Sequence, residues 1–539
     1  MPGLIEGIGL VAIVLIVAAL AAGIVERAPL SFPMIFLGIG FLLGGGGLGI
    51  LVIDSQDTTL TVVATISLAL VLFLDAVKLN LEEVRRDWFI PFLTMIPGTS
   101  LIIVGIATTA YYVLGLSFVQ SILLGAILAS TDAVVLRDVV RDTRIPRSIR
   151  RALSVEAGMN DIVTLPIVLI LIAISNSLLG GWQDWVDFVG RILVLSPIIG
   201  LLVGGVSARV MQSVDKRFQI PLEYQALYGI GIVLAAYFFG TIVDGDGFLS
   251  AFFAGLGVTV FNSRLCDCFL DYGETTSEMM MLLAFILFGA VLSTMVTTVD
   301  LVPVLILAMV SIILVRPFAL GVVLGGAKMS AIARLFIGWF GPRGLGSLLL
   351  ALLAVQGGVE GADMLLAITG VVVLISVVLH GSSATPLGGW YGRKVAQSQE
   401  TFAEERESTF SGLFDGDPDD IVRIEPNTVA AMIDSDNPPL MLDVRARAHF
   451  DRDNMSIPGS VRIPPDHIKE WAEDLPRDRI IVAYCACPDE SASGRASRLL
   501  IEMGFDARAL RGGWDEWRGQ YPIVPQSNTI TADMIETIL

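Results

Sequence analysis

Residues 154–168 read SVEAGMNDIVTLPIV and place three polar side chains, Glu156, Asn160 and Asp161, between long apolar runs. A charge at the centre of a membrane helix costs at least ~2.5–3.5 kcal/mol, so such residues persist where they pair, line a wet cavity or bind a substrate. We therefore expect this stretch to be a membrane helix that carries a polar site.

The composition places most of the chain outside water. Only 16% of the 539 residues are charged and 54% are hydrophobic, whereas a soluble domain has about 25% charged residues. The mean hydropathy is +0.74. This composition predicts an α-helical polytopic membrane protein surrounded by lipid. The net charge of -18 argues against a nucleic-acid partner.

Apolar segments long enough to cross a bilayer recur along the chain, and they predict about thirteen transmembrane helices. We place them at 5–25, 31–53, 59–79, 90–115, 118–137, 152–177, 188–210, 222–241, 247–262, 276–294, 301–325, 331–355 and 363–384. Alternate connections carry Lys and Arg, and the others carry acidic residues without Lys or Arg. Because basic connections stay in the cytoplasm, we expect a multi-pass plasma-membrane protein with its N-terminus outside and its C-terminus cytoplasmic.

The character of the sequence changes after the last apolar segment. Short β-like runs (PLMLDV, RIIVAYC, DARAL) alternate with helical patterns such as PDHIKEWAEDL. This alternation predicts a small α/β domain with a mainly parallel sheet. We divide the chain into a transmembrane domain (1–389), an acidic linker (390–424), a cytoplasmic domain (425–525) and a tail (526–539).

A candidate cation site lies on two neighbouring helices. Thr131 and Asp132 interrupt the helix before SVEAGMND, and Asp161 lies well inside the following one. Broken helices at mid-membrane with a carboxylate form cation sites in transporters. A carboxylate removed from water holds a proton and can exchange it for a cation. Asp132 and Asp161 are therefore expected to bind a monovalent cation transiently. The alternative places Glu156 and Asp161 near the cytoplasmic N-terminus of their helix, which stabilises negative charge.

A second break is predicted where Gly341, Pro342 and Gly344 surround Arg343. It lies seven helices after the first break, as inverted repeats with antiparallel crossings require. Arg343 needs an acidic neighbour, and Glu156 is our candidate. The alternative is an arginine that reaches the headgroups from a helix end.

The stretches STDAVV, SVEAGMND and GWFGPRG, with LFLDAVKLNLEEVRRDW and LHGSSATPL, resemble the monovalent cation:proton antiporters of the NhaP-type, electroneutral branch, over residues 5–390. The resemblance implies an antiporter fold, a homodimer, no cofactor, and Na⁺ (with K⁺ or Li⁺ as alternatives) exchanged for H⁺. It implies that Asp161 carries the cation or proton and that Asn160 marks the electroneutral branch. Asp132 and Thr131 would help to bind the cation, and Glu156 and Arg343 would form a buried ion pair.

Two departures affect the cation ligands. The chain has Ala133 where members often have Pro, and Ala157 where many have Ser. The missing hydroxyl at Ala157 leaves the cation preference open.

Residues 425–525 resemble a single rhodanese domain, and Cys485 occupies the position of its reactive thiol after the strand IIVAY. The expected Arg is Glu490 here, and an acidic loop disfavours a thiolate. We therefore expect a domain without sulfurtransferase activity that serves regulation or dimer contact, with an unknown ligand. Cys487 leaves redox sensing open.

These observations predict a secondary transporter rather than an enzyme. Two other classes stay open. One is a transporter of sulfur oxyanions coupled to a sulfurtransferase domain, and the other is a sensor built on a degenerate antiporter.

Overall fold

In a computed structural model, the chain forms two compact units, Met1–Leu413 and Phe414–Leu539. The structure describes the following residues: 9, 16, 32–79, 89–142, 145, 147–177, 180–218, 220–261, 263–327, 329–397, 422–433, 435, 438–445, 455–463, 468–472, 475–477, 479–486 and 491–525. The predicted first helix (5–25) and most of the linker lie outside them.

The described part of the first unit is helical. Its helices are α1 Phe32–Leu43, α2 Thr58–Lys78, α3 Phe89–Leu114, α4 Phe118–Ala129, α5 Arg137–Arg141, α6 Arg147–Ser175, α7 Trp182–Phe218, α8 Leu222–Ile242, α9 Gly247–Phe261, α10 Ser263–Met295, α11 Leu301–Gly326, α12 Ala331–Trp339, α13 Leu345–Gln356 and α14 Ala362–Gln397. Eight helices within the described ranges are long and apolar enough to cross a membrane, and four shorter apolar ones accompany them.

Every predicted transmembrane segment after the first has a helical counterpart, but several ends differ. The sequence predicts 276–294 with Cys266 and Cys268 in the loop before it, whereas α10 begins at Ser263 and includes both. Similarly, α14 continues to Gln397, beyond the expected domain boundary at 389. Helices extend past the apolar core because polar turns in contact with water still satisfy their backbone hydrogen bonds.

The helices pack in two groups. The first group is α1, α2 and α7–α10, and the second, called the site group below, is α3–α6 and α11–α14. Small residues allow close approach within the groups, as apolar packing in lipid requires. At Gly204 of α7, for example, an added Cβ would overlap the backbone of Ala254 on α9.

The second unit has a five-stranded parallel sheet in the order β1-β6-β5-β2-β4 and a separate antiparallel pair, β3 and β7. Its elements are β1 Arg423–Ile424, α15 Pro426–Ile433, β2 Leu440–Asp443, β3 Met455–Ser456, β4 Ser460–Arg462, α16 Ile468–Ala472, β5 Ile481–Tyr484, α17 Ser491–Glu502, β6 Ala507–Leu510, α18 Gly513–Gln520 and β7 Val524–Pro525. The predicted α/β class is confirmed, and the runs PLMLDV, RIIVAYC and DARAL form three neighbouring strands of the sheet.

Candidate functional site

The two predicted helix breaks meet inside the site group. Residues 130–136 separate α4 from α5, and residues 340–344 separate α12 from α13. The backbone N–H of Asp132 donates to the carbonyl oxygen of Pro342 at 2.9 Å. The hydroxyl of Ser347 on α13 donates to the carbonyl oxygen of Ser130 at 3.4 Å. Each break therefore supplies partners for backbone groups that the other leaves without helical bonds.

Asp132 binds the start of a half-helix. Its Oδ2 accepts the backbone N–H of Leu345, the first residue of α13, at 2.8 Å, and its Oδ1 accepts that of Val134 at 2.8 Å. The positive end of the α13 dipole stabilises this carboxylate. Gly344 is required by the contact, because a Cβ there would overlap the Asp132 carboxylate.

Asp161 is held on one side only. Its Oδ1 accepts hydrogen bonds from the hydroxyls of Ser130 at 2.7 Å and Thr164 at 3.4 Å. No donor within the described ranges contacts Oδ2, which faces Gly346 in the first turn of α13. The residue keeps 9% of its surface exposed, whereas the adjacent Asn160 keeps 1%. We call Oδ2, which accepts no hydrogen bond from the described residues, the open position of the site.

Asn160 closes the end of α4. Its Nδ2 donates to the carbonyl oxygen of Ala129 at 2.8 Å and to the hydroxyl of Thr131 at 3.2 Å. Its Oδ1 accepts the hydroxyl of Thr99 on α3 at 3.3 Å. The amide can make these bonds because it carries both donors and acceptors, which an ionised aspartate does not.

The predicted ion pair between Glu156 and Arg343 is replaced by another in the structure. Oε1 of Glu156 lies 2.7 Å from Nη2 of Arg316, with both side chains almost fully buried. Arg316 belongs to α11 and also donates to the carbonyl oxygen of Phe340 in the second break, at 3.3 Å. The absence of a side chain at Gly341 leaves room for this guanidinium.

Arg343 binds backbone atoms rather than a carboxylate. The Nη1 of its side chain donates to the carbonyl oxygen of Gly341 at 3.2 Å. Its backbone N–H donates to the hydroxyl of Ser376 on α14 at 2.7 Å. Ser376 in turn contacts the ring of His380, whose Nε2 lies 2.9 Å from the carbonyl oxygen of Trp339. Arg343 and His380 therefore hold the second break against α14. Arg316 is a second deep arginine, which the sequence reasoning missed.

A third carboxylate lies beside α6. A Cβ placed on Gly158 would be 3.8 Å from the Cβ of Asp75 on α2, one helical turn before Asp161. The sequence favours a surface pair of Asp75 with Lys78, but Lys78 binds Glu274 at 3.3 Å instead. Ala157, the residue before Gly158, is 3% exposed and adds no polar group here.

Three residues that contact the site residues were not predicted, although the sequence around each shows a recognisable pattern. Ser130 precedes Thr131 and Asp132 in LASTDA, Thr164 follows Asn160 by one helical turn, and Arg316 interrupts an apolar helix in LVRPFAL. The contact of Thr164 with Asp161 can be predicted from their spacing on one helix. The contacts of Ser130 and Arg316 depend on how separate helices cross.

Cys485 follows β5 in the second unit and is fully buried. Its Sγ lies 3.4 Å from the hydroxyl of Ser493 at the start of α17, and its carbonyl oxygen accepts the N–H of Trp514 at 2.8 Å. The predicted loop residues Cys487 and Glu490 lie outside the described residues. A buried thiol against a hydroxyl is a poor nucleophile, because reactive cysteines need partial exposure and positive surroundings.

A buried charge pair supports the same sheet. Arg445 binds Asp443 through Nε at 3.0 Å and Nη2 at 2.6 Å. The hydroxyl of Tyr484 donates to Asp443 at 3.1 Å. Burial and the Asp443 carboxylate raise the pKa of Tyr484 above its ordinary value, so the hydroxyl keeps its proton and its donor role. These contacts stabilise the ends of β2 and β5, next to Cys485.

Comparison with known families matches both units. The family described as "Sodium/hydrogen exchanger, transmembrane" matches residues 12–390, and "Rhodanese-like domain" matches residues 425–520.

Two curated relatives are similar to the chain over its membrane part. The "K(+)/H(+) antiporter NhaP" of Alkalimonas amylolytica is 27% identical over 394 residues, or 71% of this chain and 66% of the relative. The "K(+)/H(+) antiporter NhaP2" of Shewanella baltica is 26% identical over 380 residues, or 68% of this chain and 64% of the relative. The chain thus spans just under two thirds of the length of these relatives.

A solved structure shares the fold. The sodium proton antiporter MjNhaP1 from Methanocaldococcus jannaschii matches with a TM-score of 0.61 and 19% identity, covering 73% of this chain and 98% of that one. The predicted antiporter fold is confirmed. The chain belongs to the sodium/hydrogen exchanger family and carries a C-terminal rhodanese-like domain.

Proposed function

We propose that this member of the sodium/hydrogen exchanger family is a secondary transporter that exchanges one monovalent cation for one proton at Asp161. The observation that carries the proposal is the open Oδ2 of Asp161, next to hydroxyl groups and the end of a half-helix. One carboxylate is neutralised by one proton or by one monovalent cation. Competition for it would therefore give exchange without net charge transfer.

The other residues of the site divide the work. Asp132 anchors α13, and its remaining lone pairs can still contact a cation, since an ionised carboxylate has about four acceptor sites. The oxygens of Ser130 and Thr164, and Asp75 across from Gly158, are further candidate ligands. Asn160 and the Glu156–Arg316 pair hold α6 in place through their contacts with α4 and α11.

The transported cation is Na⁺ by resemblance, with K⁺ and Li⁺ as alternatives. The two similar relatives are named as K⁺/H⁺ antiporters, which favours testing K⁺ beside Na⁺. Sulfur-oxyanion transport would need cationic groups around the open position, whereas the groups that contact Asp161 are the hydroxyls of Ser130 and Thr164. The plasma-membrane location, the cytoplasmic C-terminus, the homodimer and the regulatory role of the rhodanese-like domain remain predictions of this proposal.

The experiment is a transport assay on purified protein in liposomes with a trapped pH dye. Na⁺, K⁺ and Li⁺ gradients are applied in turn, with choline as the inert control. We expect at least one alkali cation to drive proton movement that persists when the membrane potential is clamped. If none of the three cations drives proton movement, the proposal is overturned.

A further inference from the structure

Ion pairs connect the two helical groups at the end of the helices where the basic connections lie. Arg137, the first residue of α5, lies directly after the break that contains Ser130, Thr131 and Asp132. Its Nη1 is 3.1 Å from Oε1 of Glu278, and its Nη2 is 3.3 Å from Oε1 of Glu274, both on α10.

A lysine completes the cluster from the first group. Nζ of Lys78, the last residue of α2, lies 3.3 Å from the same Oε1 of Glu274. We call Lys78, Arg137, Glu274 and Glu278 the ionic latch. Glu274 and Glu278 stand four residues apart on α10, so they share one helix face, and Arg137 can bind both.

The latch connects parts that must separate if the proposed transport is correct. Lys78, Glu274 and Glu278 belong to the first group, whereas Arg137 belongs to the site group. Alternating access moves one bundle against the other around a fixed site. An ion pair across the boundary therefore favours the arrangement in which it forms.

The latch is also close to the site. Lys78 follows Asp75 by one turn of α2, and Asp75 lies against Gly158, one turn from Asp161 on α6. Positive and negative side chains thus follow one another from the helix ends toward Asp161, in the order Arg137, Glu274, Lys78 and Asp75. The latch therefore lies between this end of the helices and the level of Asp161.

We infer that the ionic latch is a gate on the proposed cytoplasmic side, which holds that entrance closed until the two helical groups separate. This inference rests on the proposed function. Its four side chains are 26% to 43% exposed, so water can reach the pairs and allow them to break and re-form. The segment after the first break would thus couple the position of Asp132 to the state of the entrance.

The test compares variants of the full chain in inside-out and right-side-out membrane vesicles, with the cation that the unaltered protein transports. Arg137→Gln removes two of the three pairs, and Lys78→Gln removes one. Arg137→Glu with Glu278→Arg exchanges the charges and can rebuild the contact. Arg191→Gln is the matched control, because Arg191 pairs with Asp187 and Asp244 inside the first group.

We expect Arg137→Gln to lower the apparent KM for the cation about three-fold on the proposed cytoplasmic side, as a larger open population requires. The KM on the opposite side should not fall, Lys78→Gln should have a smaller effect, and the charge exchange should restore the original value. Unchanged KM values, equal falls on both sides, or failure of the charge exchange to restore would overturn the inference. No exchange by the unaltered chain would overturn the proposed function and this inference together, whereas normal exchange with unshifted variants would remove only the gate.

Discussion

Asp132 and Asp161 are both buried carboxylates, yet their hydrogen bonds differ. Both oxygens of Asp132 accept backbone N–H groups, from Val134 and Leu345. Asp161 receives two hydroxyls on Oδ1 and leaves Oδ2 open toward Gly346. Protonating Asp132 would weaken the start of α13, whereas protonating Asp161 at Oδ2 breaks no bond within the described part of the chain. This difference supports the proposal that Asp161, rather than Asp132, is the group that exchanges a proton for a cation.

The partner of Glu156 gives the first prediction. Arg316→Met leaves a buried carboxylate without its ion pair, which costs about 3–5 kcal/mol. Arg343→Met removes a guanidinium bonded to a backbone carbonyl, which costs about 1–2 kcal/mol. We expect Arg316→Met to lower the Tm of the purified protein clearly more than Arg343→Met. A larger fall for Arg343→Met would indicate that Glu156 pairs with Arg343 instead.

The candidate site residues could be chosen from the sequence because polar residues in apolar helices are conspicuous. Asp161, Asn160, Asp132 and Glu156 all stand out in this way. Their partners were less predictable. Arg316 lies far from Glu156 in sequence, and Arg343 offered the same charge in a more prominent motif. The choice between two arginines depends on the crossing of α6, α11 and α12, which one sequence does not specify.

The break between α12 and α13 depends on close backbone approach, and this gives the second prediction. Gly344→Ala places a Cβ against the Asp132 carboxylate, so Asp132 must leave the N-terminus of α13 or the break must shift. We expect loss of cation-driven proton movement and a lower Tm.

Gly321→Ala is the matched control for that variant. A Cβ at Gly321 on α11 meets nothing within 4 Å, and alanine favours the helix by about 0.5–1 kcal/mol. Wild-type transport and stability in Gly344→Ala would contradict the described contact between the two breaks.

Helix positions followed from the apolar runs, because a segment in lipid must hydrogen-bond its own backbone groups whatever its neighbours are. The breaks were visible in Thr131–Asp132 and in Gly341–Gly344. Helix ends were harder to predict. The sequence predicts that α4 continues to residue 137, but the helix ends at Ala129. The side-chain amide of Asn160 donates to the free carbonyl oxygen of Ala129 there. That partner comes from another helix.

The arrangement of the chain in two units gives the third prediction. Asp161, Asp132 and the residues that bind them all lie in the unit Met1–Leu413. Ending the chain after Leu413 should therefore preserve cation-driven proton movement. If the rhodanese-like domain is regulatory, the pH profile of exchange should change. Loss of exchange in a folded truncated protein would show that the domain is required for transport itself.

The most direct test of the account is proton movement by Asp161→Asn in liposomes, driven by the cation that the unaltered protein transports. Asparagine keeps the size of the side chain but carries neither the charge nor the exchangeable proton. Asp187→Asn, an exposed acid on α7, serves as the control. We expect no cation-driven proton movement with Asp161→Asn and normal movement with Asp187→Asn. Exchange by Asp161→Asn at the rate of the unaltered protein would contradict the claim that cation and proton compete for Asp161.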